Sequence, residues 1–244
     1  MTFHLPPRIK NRNGEKRRVG FELEFGGLSI PETADLLQGL FAGELVKLEQ
    51  YTASLETRLG RFEIEADSTF LKQRKFDKYL ALAGLESFSE AADDMMGRLA
   101  GTLIPFEIVT PPLPIDALEP VEQIRAELYR HYARGTKASL FMAFGMQFNP
   151  EVPGKDADTL LAYLRAFFLL YDWLLEESEI PVARKVAPFI QSFPEAYSRY
   201  ILNPSYRPGI KRFMRDYMEF NPTRNRPLDM LPLFADIDPE TGII

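Results

Sequence analysis

An α+β fold is predicted by three features of the sequence. Short segments alternate apolar and polar residues at a period of two, helix-periodic segments lie between and after them, and the polar face of the alternating segments is strongly hydrophilic. The alternating segments fall within the first 150 residues, and from 156 onward the chain is mainly helix-periodic, with proline breaks read at 181, 188, 194, 204, 208 and 222. A polar face of this kind fits a mainly antiparallel sheet, open on one side and packed on helices by the other.

Residues 1–17 are polar and basic ("PPRIKNRNGEKRR") and read as an arm ahead of a single α+β domain over 18–244. In "RVGFELEFGGL" (18–28), Phe21, Leu23 and Phe25 point one way and Glu22 and Glu24 the other, until Gly26-Gly27 ends the strand. "PETADLLQGLF" follows, with Pro31 in a first helical turn and Leu36, Leu37 and Leu40 at helical spacing. Between 44 and 67 the period returns to two, giving strands over 52–58 and 61–67 that turn at Leu59-Gly60. "ESFSEAADDMMGRLAGTL" (86–103) is helix-periodic, and "IPFEIVTPPLP" is a short strand closed by prolines. Asp116, with Glu119 three residues later, reads as the cap of a helix that runs to Gly135. "LFMAFGMQFNPEVPG" is a further strand, and "LLAYLRAFFLLYDWLL" (160–175) reads as a buried helix, apolar nearly all round, with Trp173 in the core.

Composition narrows the function. The 244 residues are 45% hydrophobic and 26% charged, ordinary for a soluble globular protein. A net charge of −6 and pI near 5.2 argue against a general nucleic-acid binder. No cysteine is present, which rules out disulfides, thiolate zinc and a cysteine nucleophile and suits the cytoplasm. The longest apolar stretch contains Arg165 and Asp172 and is too short to span a bilayer, so no membrane role is expected. Phosphate loops, dinucleotide fingerprints, nucleophile elbows and zinc-protease helices have no match. His4 and His131 lack metal-ligand partners at useful spacing and read as surface or structural residues.

The carboxylates carry the chemistry. Glu22 and Glu24, then Glu63, Glu65 and Asp67, then Glu107 fall on the polar side of three strands, with Gln147 and Asn149 on a fourth. Were these strands in one sheet, like charges would sit side by side, which costs a few tenths to ~1 kcal/mol per direct pair. No lysine lies in the segments to relieve that. The alternation leaves two readings open, a solvated acidic face or the floor of a cation site. Hard oxygen donors without Cys or His suit Mg2+ or Mn2+.

The order of these segments resembles the putative amidoligase family, carboxylate–amine ligases with a fold like glutamine synthetase and glutamate–cysteine ligase. That family shows a G-x-E-x-E strand, a D-x-S segment, an E-[IV]-[VST]-[ST]-P-P strand and a G-x-H-x-[NH] strand. Their counterparts are "GFELEF" (20–25), "EADSTF" (65–70), "FEIVTPPLP" (106–114) and "GMQFNPE" (145–151). The resemblance implies that Glu22, Glu24 and Glu107 bind the divalent ions that chelate ATP, and that Asp67 sits at the acceptor end of the site. Gln147 stands where the family has His, keeping an oxygen ligand but losing the imidazole, and Asn149 falls in the nucleotide set.

Such ligases phosphorylate a substrate carboxylate with ATP and let an amine attack the acyl phosphate. The substrates expected are therefore a small-molecule or peptide carboxylate and an amine. Cations to offset the phosphate charge would come from Lys72 and Arg74 and from Arg207 and Lys211, which read as sharing a helix face with Arg212 and Arg215 nearby. The usual C-terminal arginine strand has no counterpart after "TRNRPLDMLPLFADIDPETGII". Either Arg224 and Arg226 take its role, or the domain is shortened at that end. Two other classes compete: a non-catalytic relative that keeps the sheet as a binding or scaffold surface, and a hydrolase using a carboxylate pair.

Overall fold

The computed structural model describes residues 4–49, 51–66, 106–134, 145–177 and 191–241. The chain divides into two compact units, one of Met1–Lys10 with Gly14–Glu151 and one of Asn11–Asn13 with Val152–Ile244.

The first unit is a helix-backed antiparallel sheet. Its described strands are β1 (Arg18–Phe25), β2 (Glu44–Leu48), β3 (Thr52–Thr57), β4 (Gly60–Ala66), β5 (Phe106–Val109), β6 (Leu113–Pro114) and β7 (Gly145–Pro150). The sheet runs β2-β3-β4-β5-β1, every pair antiparallel. β6 follows β5 along one edge of β1, and β7 occupies the other, since Glu22 is paired with both Val109 and Gln147. Pro111 and Pro112 break the strand between β5 and β6. Thr110 spans the break, its Oγ1 accepting the Phe21 amide at 3.0 Å while its own amide donates to the Phe21 carbonyl at 2.9 Å.

Two helices cover one face. In α1 (Ile30–Phe41), Pro31 lies in the first turn, as the sequence predicts, and Ser29 and Glu32 form a capping box that the sequence reading did not name. α2 (Glu119–Arg134) starts three residues later than its predicted cap, because Asp116 sits in a turn and pairs with Lys16 at 2.7 Å. Between sheet and helices lies a core of Phe21, Leu23, Phe25, Leu37, Leu55, Phe62, Ile64, Ile108 and Ile124, all but out of solvent. Each removes roughly 1.5–3 kcal/mol worth of apolar surface from water.

Several sequence expectations are corrected. Strand β2 was not anticipated, because a bulge between Leu45 and Lys47 interrupts its alternation and all five residues are exposed. The β3–β4 turn is Arg58-Leu59, with Gly60 already paired to Thr57; φ at Gly60 is 119°, and a Cβ there would lie 2.8 Å from Pro111. The arm is tied down: Lys10 bridges Lys16, and buried Arg17 donates to the Glu151 and Arg8 carbonyls at 2.6 Å each. Met146 and Phe148 register with Leu23 and Phe21 on the helix side of the sheet, yet stay 41% and 53% exposed on the edge strand. The 86–103 helix lies outside the described residues.

In the second unit, α3 (Ala157–Glu177), α4 (Glu195–Leu202), α5 (Ile210–Phe220) and α6 (Leu231–Ile237) share a core of Leu160, Leu164, Tyr197, Phe213, Tyr217 and Phe234. Asp156 caps α3, accepting from the Thr159 amide at 3.0 Å and its hydroxyl at 2.7 Å. Arg165 ties α3 to the end of α4 through the carbonyls of Ile201, Asn203 and Tyr206. The buried-helix expectation holds only for the first turns of α3. Leu169, Leu170 and Trp173 are 73%, 48% and 53% exposed, so Trp173 is not a core residue. Among the described residues no helix is long and apolar enough to cross a membrane.

Candidate functional site

The pairing register turns the acidic alternation into rows. Residues directly opposite across an antiparallel pair point to the same face, so the face opposite the helices can be read from the ladder. One row runs Thr52–Glu65–Glu107–Glu24–Gly145 across β3, β4, β5, β1 and β7. The next runs Ser54–Glu63–Val109–Glu22–Gln147. Three carboxylates thus stand on three adjacent strands at neighbouring positions, with two more one row away. Neighbouring strands lie about 4.8 Å apart, close enough for like charges to repel.

Sequence reasoning placed Glu22, Glu24, Glu107 and Gln147 in one set, and the register puts them on one face of three neighbouring strands. It left Glu63 and Glu65 out of that set, although Glu65 is paired directly with Glu107. The signal was present: "RFEIE" repeats the E-x-E pattern of "FELEF". What it lacked was the strand order, which a period of two does not carry.

Glu22, Glu24, Glu63 and Glu107 are half-buried, while Glu65, Gln147 and Asn149 are exposed. Asn149 donates its Nδ2 to Glu22 Oε1 at 2.8 Å, and Gln147 donates its Nε2 to Asn149 Oδ1 at 3.1 Å. Toward β3, Arg61 pairs with Glu56 at 2.6 Å and approaches Glu63 at 3.9 Å. The donor set, carboxylates and amide oxygens without sulfur or imidazole, fits a hard divalent cation. Among the described residues, no group of three or more acidic or histidine side chains stands ready to hold a metal ion. The register supplies neighbouring donors, and the glutamates would have to swing inward to converge on one ion at the 2.0–2.6 Å of such bonds.

Other predicted residues fall in the second unit. Arg207 and Lys211 are exposed, but they do not share a helix face. Pro208 and the extended cap Gly209 lie between them, and Arg207 precedes α5. Arg224 pairs with Asp229 at 3.0 Å. Arg226 donates to the Ser192 and Gln191 carbonyls at 2.7 and 3.3 Å and lies 5.8 Å over the Phe193 ring. Both arginines therefore have local tasks in holding the 221–230 loop. Asp67, Lys72 and Arg74 lie outside the described residues. A polar cluster that the sequence did not flag centres on buried Asp216, which accepts from the Tyr200 and Tyr206 hydroxyls at 3.0 and 2.9 Å. Burial, then that hydrogen bond, raises the Tyr206 phenol above its ordinary range.

No curated protein and no solved structure matches the chain. The family described as putative amidoligase enzyme matches residues 15–241, which takes in the whole acidic face and the helical unit as well. Over that span the chain belongs to the putative amidoligase family, a family of ligases.

Proposed function

We propose that this protein is an ATP-dependent carboxylate–amine ligase that works through an acyl phosphate, on a catalytic fold of the glutamine synthetase type, in the cytoplasm. The observation that carries the reading is the Glu65–Glu107–Glu24 row flanked by Glu22 and Glu63. Without a metal ion, a face with five carboxylates would repel a triphosphate. It becomes a nucleotide site only when divalent cations stand between the two.

Glu22, Glu24 and Glu107 would hold Mg2+ or Mn2+, whose bound charge would draw electron density from the phosphate oxygens. In the first step a carboxylate oxygen of the acid substrate attacks the γ-phosphorus, and the bond to the β–γ bridging oxygen breaks, releasing ADP. In the second, the amine attacks the acyl carbon, the C–N bond forms, inorganic phosphate leaves, and the amine gives up a proton. Asp67, which the family resemblance sets at the acceptor end of the site, would take that proton. Arg207 and Lys211, exposed and without an ion pair among the described residues, are cations suited to the phosphate charge.

A melting curve with and without Mg-ATP tests the reading. Nucleotide at 100 times its Kd adds about 2.7 kcal/mol, a rise of roughly 5–10 °C for a chain of this size. Glu24→Gln should abolish the rise while leaving the metal-free Tm unchanged or slightly raised. No rise in the parent protein would sink the nucleotide reading. A second reading, a relative that binds nucleotide without catalysis, is favoured by the local contacts of Arg224 and Arg226. A Tm rise without phosphate release, across a panel of carboxylates and amines, would select it.

A further inference from the structure

The amides of β7 form a directed chain. Across the β1–β7 ladder Glu22 is opposite Gln147 and Gly20 is opposite Asn149, so the side chain that reaches Glu22 is the diagonal neighbour, not the direct one. Gly20 carries no side chain beside Asn149; a Cβ there would lie in ordinary contact, 3.8 Å from the Asn149 Cβ. The direction of the chain is forced by chemistry. An ionised carboxylate only accepts, so Asn149 must turn its NH2 toward Glu22. Its oxygen then faces Gln147, which must answer with its own NH2. One orientation of each amide satisfies both contacts, at 2.8 and 3.1 Å.

We propose that Gln147 and Asn149 are positioning residues, a two-amide relay that fixes the aim of Glu22, with Gln147 serving as a donor rather than as a cation ligand. Its functional meaning rests on the ligase reading, in which Glu22 holds a cation. An imidazole N–H could donate to Asn149 Oδ1 as the Gln amide does, so a His at 147 would keep the donor.

Two substitutions at 147 separate donor from ligand. Glu is close to isosteric with Gln but cannot donate when ionised, so Gln147→Glu sets an acceptor against Asn149 Oδ1. As a ligand, the same Glu would add a charged oxygen and tighten the cation. The probe is Mn2+ alone, titrated calorimetrically into the folded chain. Groups that orient a ligand are worth ~10–100-fold in metal affinity when removed; on an exposed strand we expect the low end for Gln147→Glu and a change within about twofold for Gln147→His. Unchanged or tighter binding by Gln147→Glu, or an equal loss with Gln147→His, overturns the donor role. A second arm needs no metal. In 15N-labelled protein, Glu22→Ala should move the side-chain NH2 signals of both Asn149 and Gln147. Because Gln147 is also opposite Glu22, the same change is made in an Asn149→Ala background, where the Gln147 signal should move much less. A Gln147 signal that stays put, or that moves equally in both backgrounds, overturns it. If the parent protein binds no Mn2+, the metal reading of the sheet fails, and the NH2 signals still decide the relay.

Discussion

On the sheet, Glu65, Glu107 and Glu24 stand beside one another on adjacent strands; in the helical unit, four charges are held by donors or acceptors of complementary kind. Asp216 accepts from two tyrosines, Arg165 donates to three carbonyls, Arg226 to two, and Arg224 meets Asp229. Charges of the second sort add stability. Like charges side by side subtract from it, by ~0.2–1 kcal/mol per direct pair, and polar partners such as Asn149 at Glu22 offset part of that cost. Net charge does not separate the two behaviours, whereas the identity of each charge's neighbours does.

The contrast breaks most visibly at Asp216. Only 6% exposed, it holds two phenol hydroxyls, and hydrogen bonds to a charged group are worth ~1.5–3 kcal/mol each. Asp216→Ala should lower the unfolding free energy by about 3 kcal/mol in urea titrations and leave Mn2+ affinity intact. A loss below ~1 kcal/mol would mean that the helical unit does not depend on its buried charge. Arg226→Ala comes next, at about 2 kcal/mol, for two carbonyl contacts and the packing against Phe193. Here the rival outcome is informative: an unchanged Tm with abolished phosphate release would move Arg226 from loop holder to catalytic group.

How much of this was legible in the sequence follows from what each pattern encodes. Alternation in "FELEF" and "RFEIE" gave the faces, because a period of two leaves a half-buried strand no other choice. It could not give the order β4-β5-β1, which arises from pairings between segments 40 or more residues apart, so the Glu65–Glu107–Glu24 row emerged only with the register. The apolar run 160–175 misled for a related reason. Hydrophobicity marks a surface that can be buried without naming a neighbour, and Leu164 found one in the described core while Trp173 did not. Arg207 and Lys211 showed the reverse error: spacing of four means a shared face only inside a helix, and Pro208-Gly209 puts one of them outside.

Asp156 tests a smaller contribution to the helical unit. Its hydrogen bonds from Thr159, and then the nearby Arg12 guanidinium, hold its carboxyl down at about 2. A depressed carboxyl stabilises the fold fully above its unfolded value near 3.9, and that contribution is lost as pH falls toward 2. Asp156→Ala should cost about 1 kcal/mol at neutral pH, as N-cap losses do, and the gap to the parent protein should close between pH 4 and 2. A gap that persists at pH 2 would assign the loss to packing of the first turn of α3 rather than to the ionised cap.

The smallest effect bears most directly on the sheet. Glu65 is the exposed end of the row and is paired directly with Glu107, so Glu65→Gln relieves one like-charge contact without opening the core. In metal-free protein it should raise stability by ~0.2–1 kcal/mol, with the gain shrinking between 20 and 500 mM salt as screening shortens the reach of the remaining charges. With saturating Mg2+ the sign should reverse, because a face that holds cations loses part of its attraction for them when Glu65 is neutralised. A solvated acidic face would show the salt-dependent gain and no reversal. Urea midpoints measured with Mg2+ and with a chelator therefore distinguish charge kept for a cation from charge that is merely tolerated at the surface.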